Sequence, residues 1–210
     1  MRYLYITYWL LVIAFVPTAG WARDWEYYFE YKTKVPIEKK QKILFDFKEE
    51  TRYKDDGNYY RKSFFGISKR ISSELEASLY YAFKEKRKNG WKKLHMFWIQ
   101  GDKKVHFNKF MLASSTKFER HCYVDTYKFR EKLEAVFPLN KKMRFFIGDE
   151  ARIFSLFDNP YFGENESLCG FYLMVFKDFA LKVYYDLRRI KSNSSWENTN
   201  CLRTVFNFKF

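Results

Sequence analysis

The chain has 210 residues, 39 Lys+Arg against 25 Asp+Glu and a formal net charge of +14; aromatics reach 22%, with 24 Phe, 17 Tyr and 6 Trp, against only 8 Gly and 4 Pro. A disordered chain is excluded, because disorder goes with few aromatics, and low Gly and Pro exclude a collagen-like or linker-rich one. Charged residues, 30% of the total, are spread along the chain and exclude a multi-span helical membrane protein.

The N-terminal segment reads separately. Arg2 precedes an uncharged, mostly apolar run over residues 3–16, Pro17 breaks it, and Ala19, Gly20 and Ala22 are small. This is the layout of a secretory signal peptide over residues 1–22, with cleavage expected after Ala22, or else after Ala19. The run is short for a full membrane span. Residues 23–210 then form one expected domain.

Beyond residue 23 the pattern has period two. Trp25, Tyr27, Phe29 and Tyr31 alternate with Glu26, Tyr28, Glu30 and Lys32. Ile43, Phe45 and Phe47 alternate with Leu44, Asp46 and Lys48, and Leu75, Ala77, Leu79, Tyr81 and Phe83 with Glu74, Glu76, Ser78, Tyr80 and Ala82. Phe110, Leu112 and Phe118 share one face, with Lys117 and Glu119 on the other. Phe129, Leu133, Ala135 and Phe137 oppose Arg130, Lys132 and Glu134, although Glu131 interrupts the apolar side. Leu202, Phe206, Phe208 and Phe210 close the series opposite Arg203, Asn207 and Lys209.

Eleven such segments are legible, at roughly 24–33, 41–53, 58–67, 73–86, 92–100, 105–121, 126–137, 143–157, 166–176, 179–191 and 201–210. Turn residues separate them: Val35-Pro36, Asp55-Asp56-Gly57, Asn89-Gly90, Gly101-Asp102, Pro138-Leu139-Asn140, Asn159-Pro160, Lys177-Asp178 and Asn193-Ser194-Ser195. Strands joined by short turns predict an antiparallel meander.

A soluble barrel and a membrane barrel share this alternation, inverted in space. Bulky aromatics dominate the apolar faces, both charge signs occupy the opposite faces, and segments of about ten residues suit tilted strands crossing a bilayer. The expected fold is therefore all-β, an antiparallel up-and-down transmembrane β-barrel. Bacterial single-chain barrels have an even strand number with both ends in the periplasm, so eleven segments predict ten to twelve strands, with twelve favoured. The final strand, with Phe206, Phe208 and Phe210 in register, resembles the terminal strand of bacterial outer-membrane barrels, whose last aromatic is read by the barrel-assembly machinery.

Chemistry is sparse. The three cysteines, Cys122, Cys169 and Cys201, show no C-x-x-C spacing, and no disulfide among them is singled out. His95, His106 and His121 lack ligand spacing, so no metal is expected. There is no G-x-S-x-G elbow, phosphate loop or H-E-x-x-H motif. A Ser–His pair such as Ser114 or Ser155 with His95 or His121 has no local support, and neither an enzyme nor a cofactor is expected. Nucleic acid is not an expected partner, because charge alternates with aromatics at strand spacing behind an export signal. The lumen is expected to hold a charge network: Lys117, Glu119, Arg130, Lys132, Glu134, Arg144, Glu150, Arg152, Asp186 and Arg188, with Lys48, Arg52, Lys182 and either Glu49 or Glu50.

The order of motifs resembles the outer-membrane family called domain-of-unknown-function family 2490. The resemblance rests on the Trp25-led first strand and on residues 115–121, where Lys117, Glu119 and His121 stand in for an alternating Arg, Arg, Glu, Arg and the first Arg is missing. It continues through Tyr127-Lys128-Phe129-Arg130, the Pro138-Leu139 turn, Gly148-Asp149-Glu150-Ala151-Arg152, the Asn165 to Gly170 stretch and the terminal Phe strand. It implies an outer-membrane barrel facing lipid and lipopolysaccharide, whose phosphates would attract basic stretches such as residues 84–88. It implies no activity. The expected function is a narrow, weakly anion-preferring pore, with a plugged structural or surface-interaction barrel as the alternative. A soluble secreted barrel binding an apolar ligand stands third.

Overall fold

A computed structural model describes residues 25–38, 42–54, 57–87, 91–122, 126–192 and 195–209. The expected signal segment and Phe210 lie outside the described residues. Eleven strands follow one another: β1 Trp25–Glu38, β2 Ile43–Lys54, β3 Gly57–Arg70, β4 Leu75–Arg87, β5 Trp91–His106, β6 Met111–His121, β7 Thr126–Pro138, β8 Met143–Phe154, β9 Tyr161–Phe176, β10 Phe179–Ser192 and β11 Ser195–Lys209. Each pairs with the next, and β1 pairs with β11, so the sheet is a closed barrel without a free edge.

The expected all-β barrel is what forms, within the expected range of strand number, but the favoured count of twelve is corrected to eleven. Parity has a geometric consequence. Alternate strands of a meander reverse, so the first and eleventh run the same way and close in parallel, from Trp25↔Asn200 to Lys34↔Lys209, while every other pair is antiparallel. Trp25 and Lys209 therefore stand at opposite rims, and the expectation of both ends on one side does not hold.

Two turn assignments also move. Gly101 and Asp102 lie inside β5, where Asp102 accepts from Gln100 Nε2 at 2.9 Å; the chain reverses at Phe107–Phe110, so residues 105–121 are the end of β5 and all of β6. Pro36 stays in β1 opposite Leu44, and the pairing register shifts before Glu38. Proline donates no N–H, and a position near a strand end with a bulge beside it tolerates that loss.

Polarity runs inside out. Leu79, Ile99 and Ile67 point outward at 59%, 62% and 55% exposure, whereas Glu119, Glu166 and Asp186 point inward at 3%, 1% and 0%. Aromatic rings share this outer face, Phe65 and Phe97 among them at 43% and 48% exposure. Toward the rim at the β5–β6 and β7–β8 turns, Phe107, Phe110, Phe137 and Phe145 form a chain of ring contacts at 4.7–6.4 Å, and Phe179 stacks on Phe208 at 4.9 Å. Toward the opposite rim, Phe118, Tyr127 and Phe157 contact one another at 4.9–5.9 Å, and Phe162 meets Trp196 at 5.6 Å.

Inside, small residues make room for rings. Tyr80 lies against Gly66, where an added Cβ would fall 2.2 Å from its ring, and at Gly170 an added Cβ would fall 2.4 Å from the Cβ of Tyr184 and 2.3 Å from the Val183 carbonyl oxygen. Tyr80 stacks on Trp98 at 5.1 Å within one buried apolar patch, and Tyr184 meets Phe146 at 5.6 Å within another.

Candidate functional site

The lumen carries the chemistry, because the period of two sends alternate residues of every strand inward. One connected series of charges runs across the inner wall. Lys117 holds Glu119 at 2.7 Å; Arg130 reaches Glu119 at 3.4 Å and Glu150 at 3.2 Å. Arg152 then serves three carboxylates at once, donating from Nε to Glu150 at 2.7 Å, from Nη1 to Glu164 at 2.7 Å and from Nη2 to Glu166 at 2.6 Å. Glu166 passes to Arg203 at 2.8 Å, and Arg203 pairs with Asp186. Arg188 binds Glu26 at 2.6 Å and donates to the Tyr28 hydroxyl, which also accepts from Arg52 Nη1 at 2.9 Å. Arg52 pairs with Glu50 at 2.5 Å. The series thus joins β6 through β11 and closes onto β1 and β2.

A second group centres on Glu134, which binds Lys132 at 2.8 Å and Lys182 at 2.6 Å and accepts from the Tyr172 hydroxyl at 2.8 Å. A third joins Lys34 to Glu76 and, at 3.6 Å, to Asp46, which takes the Tyr80 hydroxyl at 2.5 Å. Fixed guanidinium forks suit such multidentate work better than ammonium groups.

Of the sequence-predicted residues, the structure brings Lys117, Glu119, Arg130, Glu150, Arg152, Asp186 and Arg188 into the first group and Lys132 and Glu134 into the second. Arg144 lines the lumen near Lys142 but is exposed and belongs to neither group. Glu50 faces inward and Glu49 outward. The stretch expected as a basic loop at 84–88 is strand through Arg87, with Lys84 turned into the lumen; Lys88 lies outside the described residues. Phe206 and Phe208 lie on the outer face, stacked beside Phe179 at 6.5 and 4.9 Å.

Sequence reasoning missed Glu26, Tyr28, Glu164, Glu166 and Arg203, the partners that connect the arginines. Parity opposite Phe206 marks Arg203 as inward. Glu164 preceded the expected start of its strand, so its face could not be read.

The outer wall has its own polar exception. Glu131, midway along β7, accepts from Ser114 at 2.7 Å and Thr116 at 2.6 Å. Asp149, on β8, accepts from Asn165 at 2.6 Å and Ser167 at 3.1 Å. Both of these carboxylates are thus bridged to hydroxyl or amide donors on a neighbouring strand. Ser114 faces outward and His121 inward, so the wall separates them; the His95 ring is bonded to Tyr81. The three cysteines are free thiols. Among the described residues no group of three His, Cys, Asp or Glu is arranged to hold a metal ion.

The lumen encloses a cavity of about 1170 Å³, lined at one rim by Ser72, Lys141 and Lys209 and at the other by Lys54, Lys86 and Glu197. Its lining includes 24 Lys/Arg and 11 Asp/Glu, an excess of cations even after the buried Asp46, Glu166 and Asp186 are added.

These features define a class: a closed, inside-out β-barrel with a charged lumen and an apolar outer belt. Within that class the chain belongs to the family described as protein of unknown function (DUF2490), which matches residues 25–199. No curated protein matches the chain. The family's motifs acquire positions here. Lys117, Glu119 and His121 share the lumen face of β6. The acidic pair splits across the wall, Glu150 inward and Asp149 outward. Gly170 seats Tyr184.

Proposed function

We propose that the protein is a bacterial outer-membrane barrel, exported by its N-terminal segment, that encloses a narrow, weakly anion-preferring water path. The observation that carries the membrane reading is the outer wall: a belt of exposed aliphatic and aromatic side chains, Leu79 and Ile99 about 60% exposed beside Phe65 and Phe97, with further ring clusters toward both rims. In water such a surface is a large unburied apolar patch; in a bilayer it is the ordinary lipid face of a barrel with aromatic girdles. Among the described residues no helix is long and apolar enough to cross a membrane. Lipid and the phosphates of lipopolysaccharide are the partners such a wall and its basic rims fit, and the barrel-assembly machinery is the expected delivery route.

The path reading rests on the cavity lined from rim to rim and on its excess of Lys and Arg. Fixed charge in a low-dielectric wall attracts counter-ions. Ion pairing neutralises many of these cations, so the preference is weak and fades as salt screens it. A plugged, structural barrel is the second reading, favoured by the ion-pair series that braces the inner wall. A soluble barrel for an apolar ligand fits the charged lining poorly.

Membrane fractionation of cells expressing the full chain, with heat-modifiable gel migration, tests the location; recovery of folded protein in the soluble periplasmic fraction overturns it. Reversal potential in a salt gradient across a planar bilayer tests the path. Anion preference, reduced or reversed by Arg130→Glu with Lys132→Glu, is expected. Cation preference in the unmodified protein rejects the selectivity, and absence of conductance rejects the path in favour of the plugged barrel.

A further inference from the structure

We propose that the lumen contains a specific binding site for a small soluble oxyanion of the phosphate class, built by Lys62, Lys84, His121 and Lys128 on the β3–β7 side; it deepens the anion-path reading and rests on it only for the ligand's route of entry.

The two halves of the inner wall balance charge differently. From β8 round to β2, Arg152, Glu164, Arg188, Glu26, Arg52 and Glu50 alternate in sign and are linked by ion pairs, with the Tyr28 hydroxyl joining Glu26 to Arg52. Across the lumen, Lys62, Lys84 and Lys128 have no carboxylate within 4.0 Å among the described residues. The acids nearest them are already engaged: Glu119 with Lys117 at 2.7 Å and Arg130 at 3.4 Å, and Glu50 with Arg52 at 2.5 Å. The lysines rest on ring faces instead. Lys62 Nζ is 4.4 Å from the Phe64 centroid and 4.7 Å from Trp98, Lys84 is 5.2 Å from Tyr60, and Lys128 is 4.3 Å from Phe154. A ring face orients an ammonium group and leaves its charge in place.

Register adds a specific conflict. Lys62 and Lys84 are directly opposite each other on β3 and β4, and like charges in that position repel; Glu50 opposite Lys62 and Glu119 opposite Lys128 are drawn instead to Arg52 and to Lys117 and Arg130. Both line the cavity, and Lys62 is only 5% exposed. His121 supplies an independent observation. It is 6% exposed, lines the same cavity, and its Nε2 has no hydrogen-bond partner. In register it lies opposite Thr126, two residues from Lys128 on the neighbouring strand. A buried ring nitrogen left unpaired near three amines that form no ion pair within 4.0 Å is a set of polar groups open to an added acceptor. A tetrahedral oxyanion supplies several acceptor oxygens and more than one negative charge, which suits amines acting as point charges and an imidazole N–H. All four residues lie in the half of the barrel nearest the β2–β3, β4–β5 and β6–β7 turns, and the wall separates them from the outer apolar face. A soluble ion entering from that rim is therefore the committed ligand.

The test is isothermal titration of the full-length protein in neutral detergent with inorganic phosphate at low salt, with heat-modifiable migration as the folding check. Saturable binding near one phosphate per barrel is expected. Lys62→Met, Lys84→Met and Lys128→Met should each weaken it about tenfold or more, the scale of one charge-assisted contact, and His121→Gln should retain more affinity than His121→Phe. Lys141→Ala with Lys142→Ala, at the opposite rim, should change it less than about twofold, because exposed charges are screened. No binding by the unmodified protein, or equal weakening by the rim variant, overturns the site. Loss of binding on adding anionic lipid to the micelles overturns its assignment to a soluble ion. Because titration needs no current, binding without conductance removes the path and keeps the site, whereas anion preference without binding removes the site alone.

Discussion

Arg152 and Glu166, 2.6 Å apart on the neighbouring strands β8 and β9, are the point where lumen charges of three strands, β8, β9 and β11, meet. Glu166 is 1% exposed and shares its second oxygen with Arg203 at 2.8 Å, while Arg152 also holds Glu150 and Glu164. Removing Glu166 takes one of three carboxylates from Arg152 and one of two from Arg203, leaving a buried excess of positive charge.

Glu166→Leu should therefore destabilise the folded barrel by about 3–5 kcal/mol, the usual cost of breaking one side of a buried pair. Glu131→Leu, on the outer wall, should not share this cost, because the Ser114 and Thr116 hydroxyls can turn back to backbone carbonyls. Urea unfolding of refolded protein in lipid vesicles compares the two. Equal losses would show that the lumen pairs carry no special weight.

Facing is testable residue by residue, since a one-residue register slip inverts every side chain. In a cysteine-free background, a cysteine at position 118 should react with a lipid-phase label and one at 119 should not. Leu79→Arg, in the exposed belt, should cost about 2–4 kcal/mol in a bilayer. Preferential labelling at 119 would invert the wall and remove the basis of the membrane reading.

Gly66→Ala should cost about 1–3 kcal/mol through overpacking. Its Cβ would fall 2.2 Å from the Tyr80 ring and 2.8 Å from the Leu79 carbonyl oxygen. Tyr80 would have to move, taking its hydroxyl from Asp46. Gly101→Ala is the control, because nothing lies within 4 Å of its Cβ and alanine loses less backbone freedom on folding. The unfolding midpoint should fall for the first variant and hold or rise for the second; a neutral Gly66→Ala would contradict the close packing.

Deleting Phe210, or replacing it with Lys, should lower the amount of barrel assembled in the outer membrane, with the remainder degraded or held in the periplasm. The motivation is the alternation of Phe206, Phe208 and Phe210 in the sequence. Quantitative blotting of membrane fractions measures it, and an unchanged yield would sink the assembly role.

The alternation of each strand was legible in the residues alone, because period two is a local property of an extended backbone. Facing followed with it: Lys117 and Glu119 opposite Phe118, Arg130 and Lys132 opposite Phe129 and Leu133. Glu131 was visible as an exception, but its Ser114 and Thr116 partners depend on how β6 aligns with β7. Tertiary structure alone decided closure. Whether β1 meets β11, and in which sense, depends on the whole strand count, and the local signal that placed a turn at Gly101-Asp102 yielded to continued pairing in β5. The same holds for the lumen. Arg152 can be assigned inward from its neighbours, but its grip on Glu164 and Glu166 depends on the β8–β9 register. The meeting of Arg188 with Glu26, 162 positions apart in the chain, exists only because the barrel closes.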